Sequence, residues 1–209
     1  MCFNKEASFL AWTLSYTIAY YLYNRNKNYD RWNAAFILCF TTIQLLEAGV
    51  WLSLDDPKSV SLNDLLTRLL LIALMAQPLV QSYMGYKYTQ NNLLALMSFV
   101  FLGILLWGFV RIARSKPGQF VSYTGPKGHL VWTDGENQKG NAFLGNKLVV
   151  GLYLAGLFVP LLIMGNRGMI LLAVGVAAAL YSTFFANPEE FGSYWCFASV
   201  AYAVAAIFV

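Results

Sequence analysis

The sequence predicts an all-α membrane protein, a seven-transmembrane-helix bundle with a small β-hairpin-like loop between helices 4 and 5. Of the 209 residues, 58% are hydrophobic and only 11% are charged, whereas about 25% of the residues of a soluble domain are charged. The apolar residues also form runs that approach the roughly 20 residues a helix needs to cross a bilayer. Because so few charges are present to cover a water-exposed surface, many apolar side chains are expected to face lipid.

Seven segments are predicted to span the membrane within a single domain, residues 1–209. They are residues 7–23, 34–54, 62–86, 93–113, 147–165, 168–186 and 191–209. Turn-forming residues at 187–190 separate the last two segments, and a short break at 165–167 separates the fifth from the sixth. Helices five to seven carry small residues four apart, a spacing that favours close helix packing in lipid. These pairs are Gly151 and Ala155, Gly175 and Ala179, and Ala201 and Ala205.

The main extramembrane segment is the loop of residues 115–146. Two runs within it, 119–124 and 129–133, are rich in residues that favour strands, and a turn containing glycine and proline lies between them at 125–128. We predict a β-hairpin over one mouth of the bundle, on the membrane side that holds the N terminus, called the A side below. An irregular loop is the alternative.

The distribution of charge bears on orientation and on partners. Arg25, Lys27 and Arg31 follow the first helix and Lys5 precedes it, so the positive-inside rule favours a multi-pass protein whose N terminus is outside. The A-side loops together hold more Lys and Arg and favour the reverse, but the first helix usually dominates. The basic residues form no single stripe, so no nucleic acid is expected as a partner. The expected partners are the lipid bilayer, a second copy in a homo-oligomer, and an unidentified ion or small molecule.

Cysteine and histidine are sparse. The three cysteines include Cys2, and His129 is the single histidine, so neither a structural zinc site nor a cofactor is expected. Cys2 and His129 are both predicted on the A side and are candidate site residues, because a Cys, a His and an acid are the residue types of nucleophilic catalysis. Alternatively, His129 accepts a proton as a pH sensor or is an ordinary loop residue.

Glu47 is the most informative residue in the sequence. It lies well inside the second span, where an ionised carboxylate costs at least about 2.5–3.5 kcal/mol, so it should face the bundle interior and have a partner. Gln44 lies one turn before Glu47 and Trp51 one turn after it, which places the three residues on one helix face. This face either lines a polar cavity or holds helices together.

Arg68 is predicted to be the partner of Glu47. The second and third helices are joined by a short A-side loop, and both residues lie about 9–10 Å from that boundary at 1.5 Å per residue. Gln77 and Gln81 are one turn apart on the third helix, on either side of Pro78. Proline removes a helical hydrogen bond and bends a helix, which either suits a substrate path or only shapes the bundle.

The N-terminal region resembles an uncharacterised family of small polytopic membrane proteins. Members begin Met-Cys-Phe-Ser-x-x-Ala-Ser-Phe and carry Gln-x-x-Glu in the second helix. This chain has Met-Cys-Phe-Asn-Lys-Glu-Ala-Ser-Phe at residues 1–9 and Gln-Leu-Leu-Glu at residues 44–47, with Asn4 at the usual Ser position. The resemblance is strong over residues 1–55 and extends beyond them by helix count. It singles out Cys2, Gln44 and Glu47 and implies no established activity.

Three functions fit these features. The first is movement of an ion or small solute along a polar path formed by Glu47, Gln44, Arg68, Gln77 and Trp51. The second is a structural or partner-binding membrane protein without turnover. The third is a membrane-embedded enzyme that modifies a lipid. The sequence leaves open whether the protein is an enzyme.

Overall fold

The computed structural model of the protein describes residues 4–133 and 147–209. Within these ranges the chain is mostly helical and contains one two-stranded antiparallel sheet. The elements are α1 (Lys5–Arg25), α2 (Asp30–Leu54), α3 (Val60–Thr89), α4 (Asn92–Arg114), β1 (Tyr123–Thr124), β2 (Leu130–Val131), α5 (Lys147–Ile163), α6 (Asn166–Phe185), α7 (Phe191–Ala198) and α8 (Val200–Ala206). Single turns of 3-10 helix, Pro57–Ser59 and Pro188–Glu190, precede α3 and α7.

Four helices of the described ranges are long and apolar enough to cross a membrane, namely α2, α3, α4 and α6. The helix α5 has 17 residues, and the predicted seventh segment consists of two short helices separated by Ser199. The prediction of an all-α protein is therefore confirmed. Length and composition identify four spanning candidates among the described residues, whereas the sequence pattern predicted seven.

Local sequence explains where several helices begin and end. The Asn4 side chain accepts a hydrogen bond from the Ala7 amide at 2.8 Å and caps α1, and Asn91 caps α4 in the same way through Leu93 at 2.9 Å. Such caps satisfy amides that have no partner within the helix. Gly165 joins α5 to α6 with a φ of +69°, a left-handed conformation that glycine adopts without steric cost.

The helices α2 and α3 form the centre of the bundle. The helix α2 packs against α1, α3, α7 and α8, and α3 packs against α2, α4 and α5. Their shared core includes Trp32, Ile37 and Leu70, which are fully buried. By contrast, α4 exposes large apolar side chains such as Phe99 and Trp107. An apolar outer surface of this kind suits contact with lipid.

The predicted hairpin is confirmed, with shorter strands than the sequence runs indicated. Tyr123 pairs with Val131 and Thr124 pairs with Leu130 in antiparallel register. The connecting turn is closed by the Gly125 amide, which donates to the His129 carbonyl at 2.7 Å. Residues 134–146 of the predicted loop lie outside the described ranges, as does Cys2.

Candidate functional site

The helix α2 carries the predicted polar stripe on its inner face. Gln44 and Glu47 are each 0% exposed, and Trp51 is half-buried. The residues around them on α2 are largely apolar, so the helix itself supplies few groups to solvate a carboxyl group. Groups that solvate the Glu47 carboxyl group must therefore come from the neighbouring helices and from the segments that cover the A side of the bundle.

Arg68 does not form the predicted ion pair with Glu47. Its guanidinium instead forms a salt bridge to Asp64, with Nε 2.7 Å from Oδ2, and donates to the carbonyl oxygens of Ile112 at 2.6 Å and Lys116 at 2.5 Å. It also lies over the ring of Phe120, 4.5 Å from the centroid. Asp64 lies one turn earlier on the same helix, so the pair forms locally and needs no partner from α2.

A second contact attaches the A-side loop to α3. The Asn63 side-chain amide donates to the Ser122 carbonyl at 3.1 Å, and the Ser122 amide donates back to Asn63 Oδ1 at 2.8 Å. The hydroxyls of Thr67 and Ser122 are 2.8 Å apart. Sequence reasoning missed this cluster, although the polar residues at 63, 64, 67 and 68 form a stripe at helical spacing that could have revealed it.

Glu190, before α7, holds the hairpin from the other side. Its Oε1 accepts hydrogen bonds from the Lys127 amide at 2.9 Å and the His129 amide at 3.4 Å. Both Glu190 and His129 are 0% exposed, and the His129 ring lies 3.8 Å from the Tyr194 ring, centroid to centroid. The alternative of a solvated surface His129 is therefore wrong, because the hairpin covers the ring against α7.

Burial lowers the pKa of His129 to about 4, and the nearby positive charge of Lys127 acts in the same direction. The ordinary pKa of a histidine is about 6.5. Between about pH 6.5 and pH 4, His129 therefore binds a proton in the unfolded chain but not in the folded protein. The contribution of His129 to stability is therefore expected to be fully present above about pH 6.5 and to be lost as the pH drops towards about 4. Thermal unfolding across this range measures the loss. The His129→Gln variant should show a flatter pH profile, and an identical profile would contradict the assignment.

Gln77 belongs to a different layer of the bundle. Its Oε1 accepts a hydrogen bond from the Tyr153 hydroxyl, and Trp195 Nε1 donates to the Tyr153 oxygen at 3.4 Å. Gln77 shares a cavity with Phe36 and Phe40. Glu47 lies seven residues beyond Phe40 on α2, about 10 Å closer to the A side at the rise of a helix. The structure therefore places Gln77 apart from the Gln44 and Glu47 pair.

The layers beyond Gln77 link helices through further buried hydrogen bonds. Trp32 Nε1 donates to Gln81 Oε1 at 3.0 Å, and the Tyr202 hydroxyl donates to Asn33 at 3.0 Å. At the end opposite the A side, Arg25 forms a salt bridge to Asp30 at 2.7 Å. Each of these interactions connects separate segments of the chain, so they hold the bundle together.

Comparison with known proteins gives no family assignment: no family model, no curated protein and no solved structure matches this chain. Among residues 4–133 and 147–209, no three His, Cys, Asp or Glu residues are grouped so that they could hold a metal ion. Functional interpretation therefore rests on the geometry of the buried polar residues.

Proposed function

We propose that the protein is a seven-crossing integral membrane protein that moves an ion or small solute along a polar path centred on Glu47. The observation that carries the proposal is the complete burial of Glu47 and Gln44 on the inner face of α2. Ionisable residues within membrane spans are costly to insert and commonly mark ion or substrate pathways. The conformation with both residues buried corresponds to an occluded state.

Buried polar side chains at successive depths support such a path. From the A side to the opposite end they are His129 and Glu190, Asn63 and Thr67, Glu47 and Gln44, Gln77, Gln81, and Asp30. Polar groups at membrane depth must be satisfied by the protein or by water in a cavity. Polar side chains at each depth of the bundle replace, one step at a time, the water molecules that a permeating solute loses.

The seven-crossing topology adds three crossings to the four apolar helices. The helix α1 packs along α2, and α5 packs against α3 and α6. The 17 residues of α5 reach about 25 Å, near the lower limit for a span. The helices α7 and α8 together form the last crossing. We place the N terminus outside because Arg25, Lys27 and Arg31 follow α1.

A flux experiment tests the proposal. The purified protein is reconstituted into liposomes that contain a pH-sensitive or cation-sensitive dye, and gradients of H⁺, Na⁺ and K⁺ are imposed in turn. Flux above that of protein-free vesicles is expected for one of these ions, with at least about a tenfold loss in Glu47→Gln, since the variant lacks the charge and the exchangeable proton.

Asp55→Asn is the matched control. Asp55 is an exposed carboxylate that pairs only with Lys5 among the residues described, so the same acid-to-amide change should leave flux unchanged. The proposal is wrong if the wild-type protein moves none of these ions, or if Glu47→Gln and Asp55→Asn conduct equally.

A structural role without turnover is the second candidate. The hydrogen bonds of Trp32 to Gln81 and of Tyr202 to Asn33 each join two helices, which is the behaviour of polar contacts that stabilise a bundle. Absence of flux together with a strongly lowered melting temperature of Glu47→Gln would favour this candidate. The lipid-modifying enzyme is the least supported, because the His129 ring is buried and packs against Tyr194.

A further inference from the structure

An open cleft lies at the end of the bundle opposite the A side. Its volume is about 510 Å³, within the range of about 300–1,000 Å³ that is usual for small-molecule sites. Three connections that are distant in the sequence meet there, namely the turn between α1 and α2, the end of α3, and the turn between α5 and α6. The cleft is lined by Asn28, Tyr29, Tyr88, Met164, Asn166 and Arg167. All of these side chains except Met164 carry a hydrogen-bonding group, and Arg167 adds a positive charge.

Basic residues predominate around the cleft. The connections at this end hold five Lys and Arg residues and a single acid, Asp30, within residues 24–31, 87–92 and 165–167. Asp30 is buried and already engaged, because it forms a salt bridge to Arg25 at 2.7 Å and accepts a hydrogen bond from the Lys27 amide at 2.8 Å. The remaining basic side chains form no ion pair with any residue that the structure describes; they are Lys27, Arg31, Lys87 and Arg167. The electrostatic field at the cleft is therefore positive and attracts anions.

The cleft lies at the depth of lipid head groups. Helices end or begin around it, and exposed tyrosines surround this end of the bundle, namely Tyr20, Tyr21, Tyr23, Tyr83 and Tyr88. Tyrosine is enriched where a membrane meets water. Next to the cleft, on α5 and α6, Leu162, Met169 and Ile170 are each more than half exposed. These side chains offer an apolar surface to acyl chains, which a free phosphate ion would not use.

We propose that the cleft binds the head group of an anionic phospholipid, with Arg167 in contact with the phosphate. A guanidinium group can donate two parallel hydrogen bonds to a phosphate, and the side-chain amides of Asn28 and Asn166 supply uncharged donors in the same cleft. A choline head group would bring its positive charge towards the unpaired basic side chains and is disfavoured. The site lies far from the A side and does not depend on transport through Glu47.

Competition for a fluorescent lipid tests the site. The full-length protein in dodecyl maltoside, an uncharged detergent, is loaded with phosphatidylglycerol that carries a fluorophore on one acyl chain, and fluorescence anisotropy reports displacement. Unlabelled phosphatidylglycerol should displace the probe at an about fivefold lower concentration than phosphatidylcholine with the same acyl chains, because one basic residue near a lipid surface contributes about that factor. Inorganic phosphate, compared with chloride at equal ionic strength, should displace no probe.

Two variants assign the binding to the cleft. Arg167→Gln removes the charge from the cleft and should abolish the preference for phosphatidylglycerol. Asn166→Asp adds a carboxylate to the cleft and should also abolish it, and an acid in the first turn stabilises a helix, so unfolding would not explain the loss. Arg114→Gln is the matched control, because Arg114 is exposed at the A-side end of α4; this variant should keep the preference.

Three outcomes would contradict the proposal. The first is equal displacement by the two phospholipids in the wild type. The second is a preference in Arg167→Gln as large as that in Arg114→Gln, which would place the binding outside the cleft. The third is displacement by inorganic phosphate as effective as that by phosphatidylglycerol, which would identify a free phosphate rather than a lipid as the ligand.

Discussion

Replacement of Gly168 by alanine is expected to destabilise the protein by about 3 kcal/mol. Gly168 is buried in the first turn of α6. An added Cβ would lie 1.8 Å from the carbonyl oxygen of Leu161 and 2.6 Å from Cβ of Met164. The nearest atom belongs to the backbone of α5 and cannot rotate away, so the turn between the two helices must open. Thermal unfolding in detergent, followed by tryptophan fluorescence, measures the effect.

Gly151→Ala is the matched control. Gly151 is an exposed residue of α5, and a Cβ there would have no neighbour within 4 Å. Alanine favours a helix over glycine by about 1 kcal/mol, so this variant should be as stable as the wild type or more stable. Similar melting temperatures for the two variants would show that the helices α5 and α6 do not pack as closely as the structure places them.

Replacement of Asp64 by alanine should cost about 3–5 kcal/mol, because it leaves the Arg68 guanidinium buried without its counter-charge. The side chains of Arg68 and Asp64 are only 13% and 10% exposed. Asp64 Oδ1 also accepts a hydrogen bond from the Phe120 amide at 2.8 Å. The change therefore removes the ion pair and releases the start of the A-side loop, so trypsin should cleave after Arg114, the last residue of α4, much faster.

Asp55→Ala provides the comparison for this prediction. Asp55 and Lys5 form an ion pair of similar type, but their side chains are 67% and 42% exposed. Exposed pairs contribute about 0–1 kcal/mol, so the melting temperature should change little and the cleavage rate should stay the same. If Asp64→Ala resisted trypsin as well as Asp55→Ala, the loop would not be held by Asp64.

Much of the helical layout could be predicted from the sequence. Each of the predicted segments overlaps a helix or helix pair that the structure describes, because long apolar runs and turn residues act over short distances along the chain. The hairpin between α4 and α5 followed from the same local reasoning, through its strand-favouring runs and its glycine turn. The spacing of small residues was a weaker guide to close helix packing. A Cβ added at Gly175 would touch Phe158, so the helices are close there, whereas a Cβ added at Gly151 would have no neighbour within 4 Å.

The partners of the polar residues could not be predicted in this way. Glu47 and Arg68 lie at similar predicted distances from the A-side boundary, which suggested that they form an ion pair. In the structure, Arg68 instead binds Asp64 on the same helix and carbonyl oxygens at the end of α4, which are closer acceptors. Depth along a helix is one coordinate, whereas an ion pair depends also on the rotation of each helix and on where the following loop lies.

The sequence by itself determined the class of protein, the positions of the helices and the placement of Glu47 within an apolar span, because hydropathy and periodicity are properties of neighbouring residues. Only the tertiary structure decided that Ser122 bonds to Asn63, 59 positions away in the chain, and that Gln77 accepts a hydrogen bond from Tyr153, 76 positions away. These contacts form between helices whose relative rotation is set by packing across the whole bundle, and no local pattern contains that information.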